Sequence, residues 1–206
     1  MSELTRGHAT PTFHNCKGEK SKYKFSCPIS LDSTGTGMCA AFAVAHALAS
    51  SPNNLKVTRQ TAYLINDEAR FFKKTGKATD NLEACVQAAV AIGYASDYGQ
   101  ITSFEEYKEA IADSPVLLGL TMFEGMYAPD RFGFLGVWNK REPIGNHAMV
   151  AFGRDPRWFN GRLSWLKNSG GSNWGNHGEC KISDRDLKWL WKHDHVRAYQ
   201  VFVAKG

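Results

Sequence analysis

Residues 38–49, Met-Cys-Ala-Ala-Phe-Ala-Val-Ala-His-Ala-Leu-Ala, constrain the fold more than any other stretch of the chain. Alanine is the best helix former, so this segment is predicted to be helical. It is apolar nearly all round, and such a helix has to lie inside a protein rather than on its surface. Gly35-Thr36-Gly37 gives it a flexible approach, and Ser50-Ser51-Pro52-Asn53-Asn54 ends it. The rest of the chain must therefore supply elements that cover a buried helix.

Several segments are suited to do so. Residues 58–74 carry Ala62, Ile65, Ala69 and Phe72 at helical spacing. Residues 80–92 form a third helix, capped by Asp80 or Thr79, with Leu82, Cys85, Val86, Ala89 and Val90 on its apolar face and Gly93 as its stop. Residues 103–112 make a short helix capped by Ser103, with Glu105 and Glu106 in its first turn. The character changes at Pro115: Val116–Leu120, His147–Phe152, Ser164–Lys167, Gly178–Ile182 and Tyr199–Ala204 read as strands. Helices first and strands afterwards predict an α+β protein of one domain. Its parts are a polar N-terminal arm over 1–30 with a short strand near Tyr23–Cys27, a mainly helical lobe over 31–113 and a mainly β lobe over 114–206.

Composition narrows the function classes. With 206 residues, 43% of them hydrophobic, the chain is long and apolar enough for a real core and is not disordered overall. No apolar run reaches the ~18 residues needed to cross a bilayer, so no membrane span is expected. The net charge of +5 is diffuse, and no nucleic-acid partner is expected from it. Met1-Ser2-Glu3-Leu4-Thr5-Arg6 is not followed by the apolar stretch of a secretory signal. Five cysteines, Cys16, Cys27, Cys39, Cys85 and Cys180, are an odd number at unequal spacing, which reads as free thiols in a reducing compartment. A cytoplasmic or assembly-associated protein is the expectation, with export by a route that needs no signal peptide left open. The cysteines and histidines show no paired metal-ligand spacing, so neither a metal nor another cofactor is expected. His193-Asp194-His195, with Trp189, Trp191 and Lys192, reads as a cap on the β lobe or as a partner surface.

Three residues stand out for chemistry. Cys39 opens the buried helix, where backbone N–H groups and the helix dipole favour a thiolate, the nucleophilic form. Packing as a small hydrophobe is the alternative for it. His46, on the same helix, lies ~10 Å further along the axis, out of hydrogen-bond reach of Cys39, so core packing or a polar contact is its expected role. His147 follows Ile144-Gly145-Asn146 and opens the strand Ala148-Met149-Val150-Ala151-Phe152, a position that holds an imidazole rigidly as a base. Asn168 ends a strand before a glycine-rich turn, and its amide oxygen is able to fix the histidine tautomer. An ordinary glycine turn with Trp174 in the core is the alternative there.

Together and in this order, three blocks resemble the signatures of papain-like cysteine peptidases. They are Gly37-Met38-Cys39-Ala40-Ala41-Phe42-Ala43, Asn146-His147-Ala148-Met149-Val150-Ala151-Phe152-Gly153, and Leu166-Lys167-Asn168-Ser169-Gly170-Gly171-Ser172-Asn173-Trp174-Gly175-Asn176-His177-Gly178. Pro115-Val116-Leu117 also resembles the strand that opens the family's β lobe. The likeness runs from about residue 30 to the end. It implies a two-lobe fold, a central buried helix packed against an antiparallel, barrel-like β lobe, and an active site between them. It implies Cys39 as nucleophile, His147 as base and later acid, Asn168 as the orienting group, and a polypeptide substrate cleaved through an acyl-enzyme.

The blocks also depart from the family pattern. Ser33 stands where the family has a glutamine, six residues before the nucleophile, that helps hold the oxyanion. Ser33 is therefore the oxyanion-hole candidate beside the Cys39 backbone N–H, and losing one such donor typically costs ~10²–10³ in rate. Gly170 stands where the family has a tryptophan, which implies a wetter Asn168–His147 contact. Thr36 replaces a disulfide-bonded cysteine, in keeping with reducing conditions. The 38 residues ahead of Cys39 are shorter than the family's inhibitory pro-region. Two other readings stay open beside a thiol peptidase. One is a catalytically weakened papain-fold component of a larger assembly, such as a virion. The other is a thiol amidase acting on peptidoglycan or isopeptide bonds.

Overall fold

The computed structural model describes residues 23–137, 142–155 and 162–204. Most of the expected N-terminal arm, with Cys16, lies outside the described residues. The elements follow in the order β1 (Tyr23–Lys24), α1 (Cys39–Ala49), α2 (Arg59–Lys74), α3 (Asn81–Ala91), β2 (Asp97–Ile101), α4 (Phe104–Asp113) and β3 (Val116–Met122). A 3-10 turn at Glu124–Met126 leads to β4 (Phe134–Leu135), β5 (Gly145–Asp155), β6 (Leu163–Lys167), β7 (Glu179–Ser183), α5 (Asp184–Lys192) and β8 (Val196–Phe202). The protein is mixed α+β, with a sheet in the order β2-β8-β3-β5-β6-β7-β4 and β1 added onto β5. All pairings are antiparallel except β4 with β7.

Period-two alternation splits the sheet between two cores. Leu117 and Val150 face α1, α2 and α3, and pack with Phe42, Leu48, Ile65 and Val86. Val116, Leu118, Met149 and Ala151 face the other way, onto Tyr107 and Ile111 of α4 and Leu187 and Leu190 of α5. Helix α1 is buried along its whole length after Cys39, as an all-apolar surface requires. It packs most heavily on β5, so the helix that begins at Cys39 and the strand that carries His147 are direct neighbours. Residues 101–111 contribute to the second core although they precede the change of character at Pro115.

The helix starts are set by side-chain caps. Asp80 Oδ1 accepts from Glu83 N at 2.8 Å, which assigns the α3 cap to Asp80. Ser103 Oγ accepts from Glu106 N and Ser183 Oγ from Asp186 N, both at 3.1 Å. Helix α1 is the exception: its N-cap is Met38, with no capping side chain. The first-turn N–H groups therefore have no acceptor from a capping side chain at Met38.

Candidate active site

Cys39 is the first residue of α1 and is half-buried. His147 lies in β5, where register pairs it with Leu120 of β3. Asn168 directly follows β6, whose last residue, Lys167, pairs with Val150 of β5. Adjacent strands thus carry the histidine and the asparagine. The His147 ring donates from Nε2 to Asn168 Oδ1 at 2.6 Å. That leaves Nδ1 as the nitrogen for Cys39, which lines the same cleft as His147 and interacts electrostatically with the ring. Three residues far apart in sequence meet as one group: helix start, strand, and strand end.

The electrostatics follow from this contact. Burial by itself raises the Cys39 thiol, but the hydrogen bond to His147, its charge, and the backbone N–H groups of Ala148 and Ala40 outweigh it, and the pKa falls below the usual thiol range. Burial by itself lowers His147, yet the hydrogen bonds with Cys39 and Asn168 and the thiolate charge raise it above the usual imidazole value. The shifts run in the directions that favour a thiolate–imidazolium pair. The other described cysteines go the opposite way. Burial raises Cys27 and Cys180 and pushes Cys85 up to about 12.

Asn168 is only 6% exposed, and its Oδ1 also accepts from Ser169 N at 2.8 Å. This corrects the expectation of a wetter contact. A Cβ on Gly170 would lie 3.0 Å from Cβ and Cγ of Trp174 and 3.3 Å from Asn168 Nδ2. Trp174 fills the space next to Gly170, and Asn168 is buried without a tryptophan at 170.

Ser33 is buried, with its backbone N–H donating to Ser169 O at 2.8 Å. Its hydroxyl lies 3.0 Å from Ser169 O and 2.8 Å from Ser169 Oγ. The structure thus sets Ser33 against the asparagine loop, and Ser33 is not among the residues that line the cleft at Cys39. His46 is fully buried and makes the polar contact expected of it, accepting at Nε2 from Leu31 N at 3.0 Å.

A cleft of about 310 Å³ opens beside Cys39 and His147. Ala40, Leu82, Gly119 and Val196 give it apolar walls, and Asp80, Asp194, His195 and Arg197 form its polar side. Arg197 grips Asp194 through both oxygens, at 2.6 and 3.2 Å, and holds that carboxylate below its usual range. These cleft residues were not singled out as a binding wall by sequence. Their one signal is the His193-Asp194-His195 run, which by sequence reads as a cap on the β lobe or as a partner surface. Among the described residues no three His, Cys, Asp or Glu side chains gather as a metal-ligand set, and no helix is long and apolar enough to cross a membrane.

No protein-family model matches the chain, and no curated protein matches it by sequence. Its backbone, in contrast, is similar to many solved structures. Bromelain from Ananas comosus, solved with the E64 inhibitor, superposes with a TM-score of 0.64 at 15% identity, over 85% of this chain and 94% of bromelain. Digestive procathepsin L 3 of Tenebrio molitor gives 0.66 at 14% identity, over 94% of this chain and 74% of that one. Xylellain, a cysteine protease from Xylella fastidiosa, gives 0.66 at 14%, over 89% and 86%. At such identity the likeness establishes the fold, and that fold is the papain-like one.

Proposed function

From a fold shared with papain-like cysteine proteases, we propose that this protein hydrolyses peptide bonds through Cys39, His147 and Asn168. The observation that carries the reading is His147 hydrogen-bonded to Asn168, Nε2 to Oδ1 at 2.6 Å, in the same cleft as Cys39 at the start of α1. In this mechanism the Cys39 thiolate attacks the scissile carbonyl, and a tetrahedral oxyanion forms. The His147 imidazolium then donates its proton to the leaving amine, which departs and leaves a thioester on Cys39. Neutral His147 next takes a proton from water, whose oxygen attacks the thioester and releases the acid, regenerating the thiolate–imidazolium pair. Asn168 keeps the imidazole in the tautomer that presents Nδ1 to sulfur.

The oxyanion is assigned to the Cys39 backbone N–H at the uncapped start of α1, where the helix dipole adds favourable potential. Ser33, the sequence candidate for a second donor, spends its hydroxyl on Ser169. That observation favours a second reading, a papain-fold protein slowed by a thin oxyanion hole and kept as part of a larger assembly.

Reaction with E64 followed by peptide turnover separates the two. The peptidase reading expects fast, stoichiometric modification of Cys39, loss of that reaction in His147→Ala, and turnover of a mixed peptide library. Modification without turnover would favour the weakened component. Slow, equal modification of all cysteines would overturn both roles for the site.

A further inference from the structure

We propose that residues 31–33 act as a strap that fixes the Asn168 loop relative to the Cys39 helix, with His46 as the positioning residue that anchors the strap. The inference rests on the Cys39–His147–Asn168 reading and adds how its geometry is set.

The anchor is unusual for an alanine-rich helix. His46 is fully buried, and its Nδ1 has no hydrogen-bond partner among the described residues. An imidazole that accepts through Nε2 carries its proton on Nδ1, so a buried N–H goes unmatched, at a cost of about 1–3 kcal/mol. A leucine would fill similar space without that cost. What the histidine supplies and a leucine cannot is an acceptor for the Leu31 N–H, 3.0 Å away. Burial first, and the Lys167 charge second, hold His46 at a pKa of about 3, so the acceptor persists across neutral and mildly acidic pH.

From Leu31 the strap runs straight onto the asparagine loop. Leu31 O accepts from Gly171 N at 3.4 Å, Asp32 makes a bridge with Gly170, and Ser33 holds Ser169 through both its backbone and its hydroxyl. Ser169 N in turn donates to Asn168 Oδ1, the same oxygen that accepts the hydrogen bond from His147 Nε2. Beyond Ser33 the strap closes onto α1. Ser33 O accepts from Thr36 N at 2.9 Å and Oγ1 at 2.6 Å, and Thr36 Oγ1 accepts from Met38 N at 3.2 Å, one residue before Cys39. The strap is therefore tied to α1 at both ends and to the Asn168 loop in its middle. The ionisable partner facing His147 is Cys39, and the one facing His46 is Lys167.

The test is the pH dependence of Cys39 alkylation by iodoacetate, read by mass spectrometry on the whole protein. This anionic reagent reacts fastest while His147 is cationic, so the falling alkaline limb reports His147. Asn168→Ala calibrates the loss of orientation. His46→Leu and Ser33→Ala are expected to move the alkaline limb down in the same direction as Asn168→Ala, by up to about one pH unit, while His46→Gln, which restores an acceptor, keeps it near the wild-type position. If His46→Leu does not fold, Ser33→Ala alone decides. A bell-shaped wild type whose limb moves in Asn168→Ala but in neither strap variant would overturn the strap alone. A wild type with no bell would overturn the strap and the catalytic reading together.

Discussion

The side chains of His147 and Asn168 meet at 2.6 Å because the end of β6 runs alongside β5, with Lys167 paired to Val150. The contact is a property of sheet register, and a one-residue slip would turn one of the two side chains to the opposite face. Removing the Asn168 amide leaves the imidazole held by Cys39 alone. Asn168→Ala is predicted to lower kcat/KM about tenfold or more, the equivalent of one charge-assisted hydrogen bond, and to cost about 1–3 kcal/mol in folding stability because the buried Ser169 N–H also loses its acceptor. Steady-state kinetics on a cleaved peptide checks it, and an unchanged kcat/KM would contradict it.

Gly170 and Trp174 share one space. Because a Cβ at 170 would sit 3.0 Å from two atoms of Trp174, installing the tryptophan that papain-like peptidases carry there should not restore anything. Gly170→Trp is predicted to destabilise the fold by about 1–3 kcal/mol through overpacking and to expose Asn168. Thermal unfolding checks the first part. Equal or higher stability of the variant would mean that Trp174 has another place to go.

His46 makes stability depend on pH in a definite sense. Its pKa is about 3 in the folded chain against 6.5 ordinarily, so below pH 6.5 the unfolded state takes up a proton that the native state refuses. Stability contributed by this residue is therefore present above pH 6.5 and lost as pH falls toward 3. The loss is about 2 kcal/mol between pH 7 and pH 5. Denaturant unfolding at the two pH values should show a drop in the wild type larger than in His46→Gln by about that amount. Equal drops would contradict it.

Asp80 does two jobs at the edge of the cleft. It caps α3 through Glu83 N and accepts from the Tyr199 hydroxyl at 3.2 Å. Asp80→Ala should cost about 1–2 kcal/mol as a lost cap. It should also let the Tyr199 phenol fall from its raised pKa. Burial would still hold it up, but the Asp80 charge that adds to the rise would be gone. Spectroscopic titration of the tyrosines checks the second effect.

Much of this was readable in the chain because it is local. Alanine density, Asp80 and Ser103 give α1, α3 and α4 within a residue or two of their observed limits. The order Cys39, His147, Asn168 carried the resemblance. Helix α5 is absent from the sequence expectations although Ser183, Asp184 and Asp186 form a start signal and Leu187, Leu190 and Trp191 follow at helical spacing. Its tryptophans and the histidines after it mask the helical period with a pattern that resembles a partner surface. Strand β2, Asp-Tyr-Gly-Gln-Ile, is poor in β-branched residues and owes its form to pairing with β8. The partnership of Ser33 with Ser169 spans 136 residues, and no local pattern announces it. The approach of Trp174 to Gly170 depends on a turn geometry that only the folded loop displays.

The central claim is that Cys39 is a thiolate paired with His147, and the rate of Cys39 alkylation by iodoacetate at pH 6 measures it most directly. The account predicts that Cys39 reacts at least about a hundredfold faster than Cys27, Cys85 or Cys180, since burial raises those three thiols while His147 lowers this one, and that His147→Ala abolishes the difference. A Cys39 that reacts no faster than the other thiols, or as fast without His147 as with it, would contradict it.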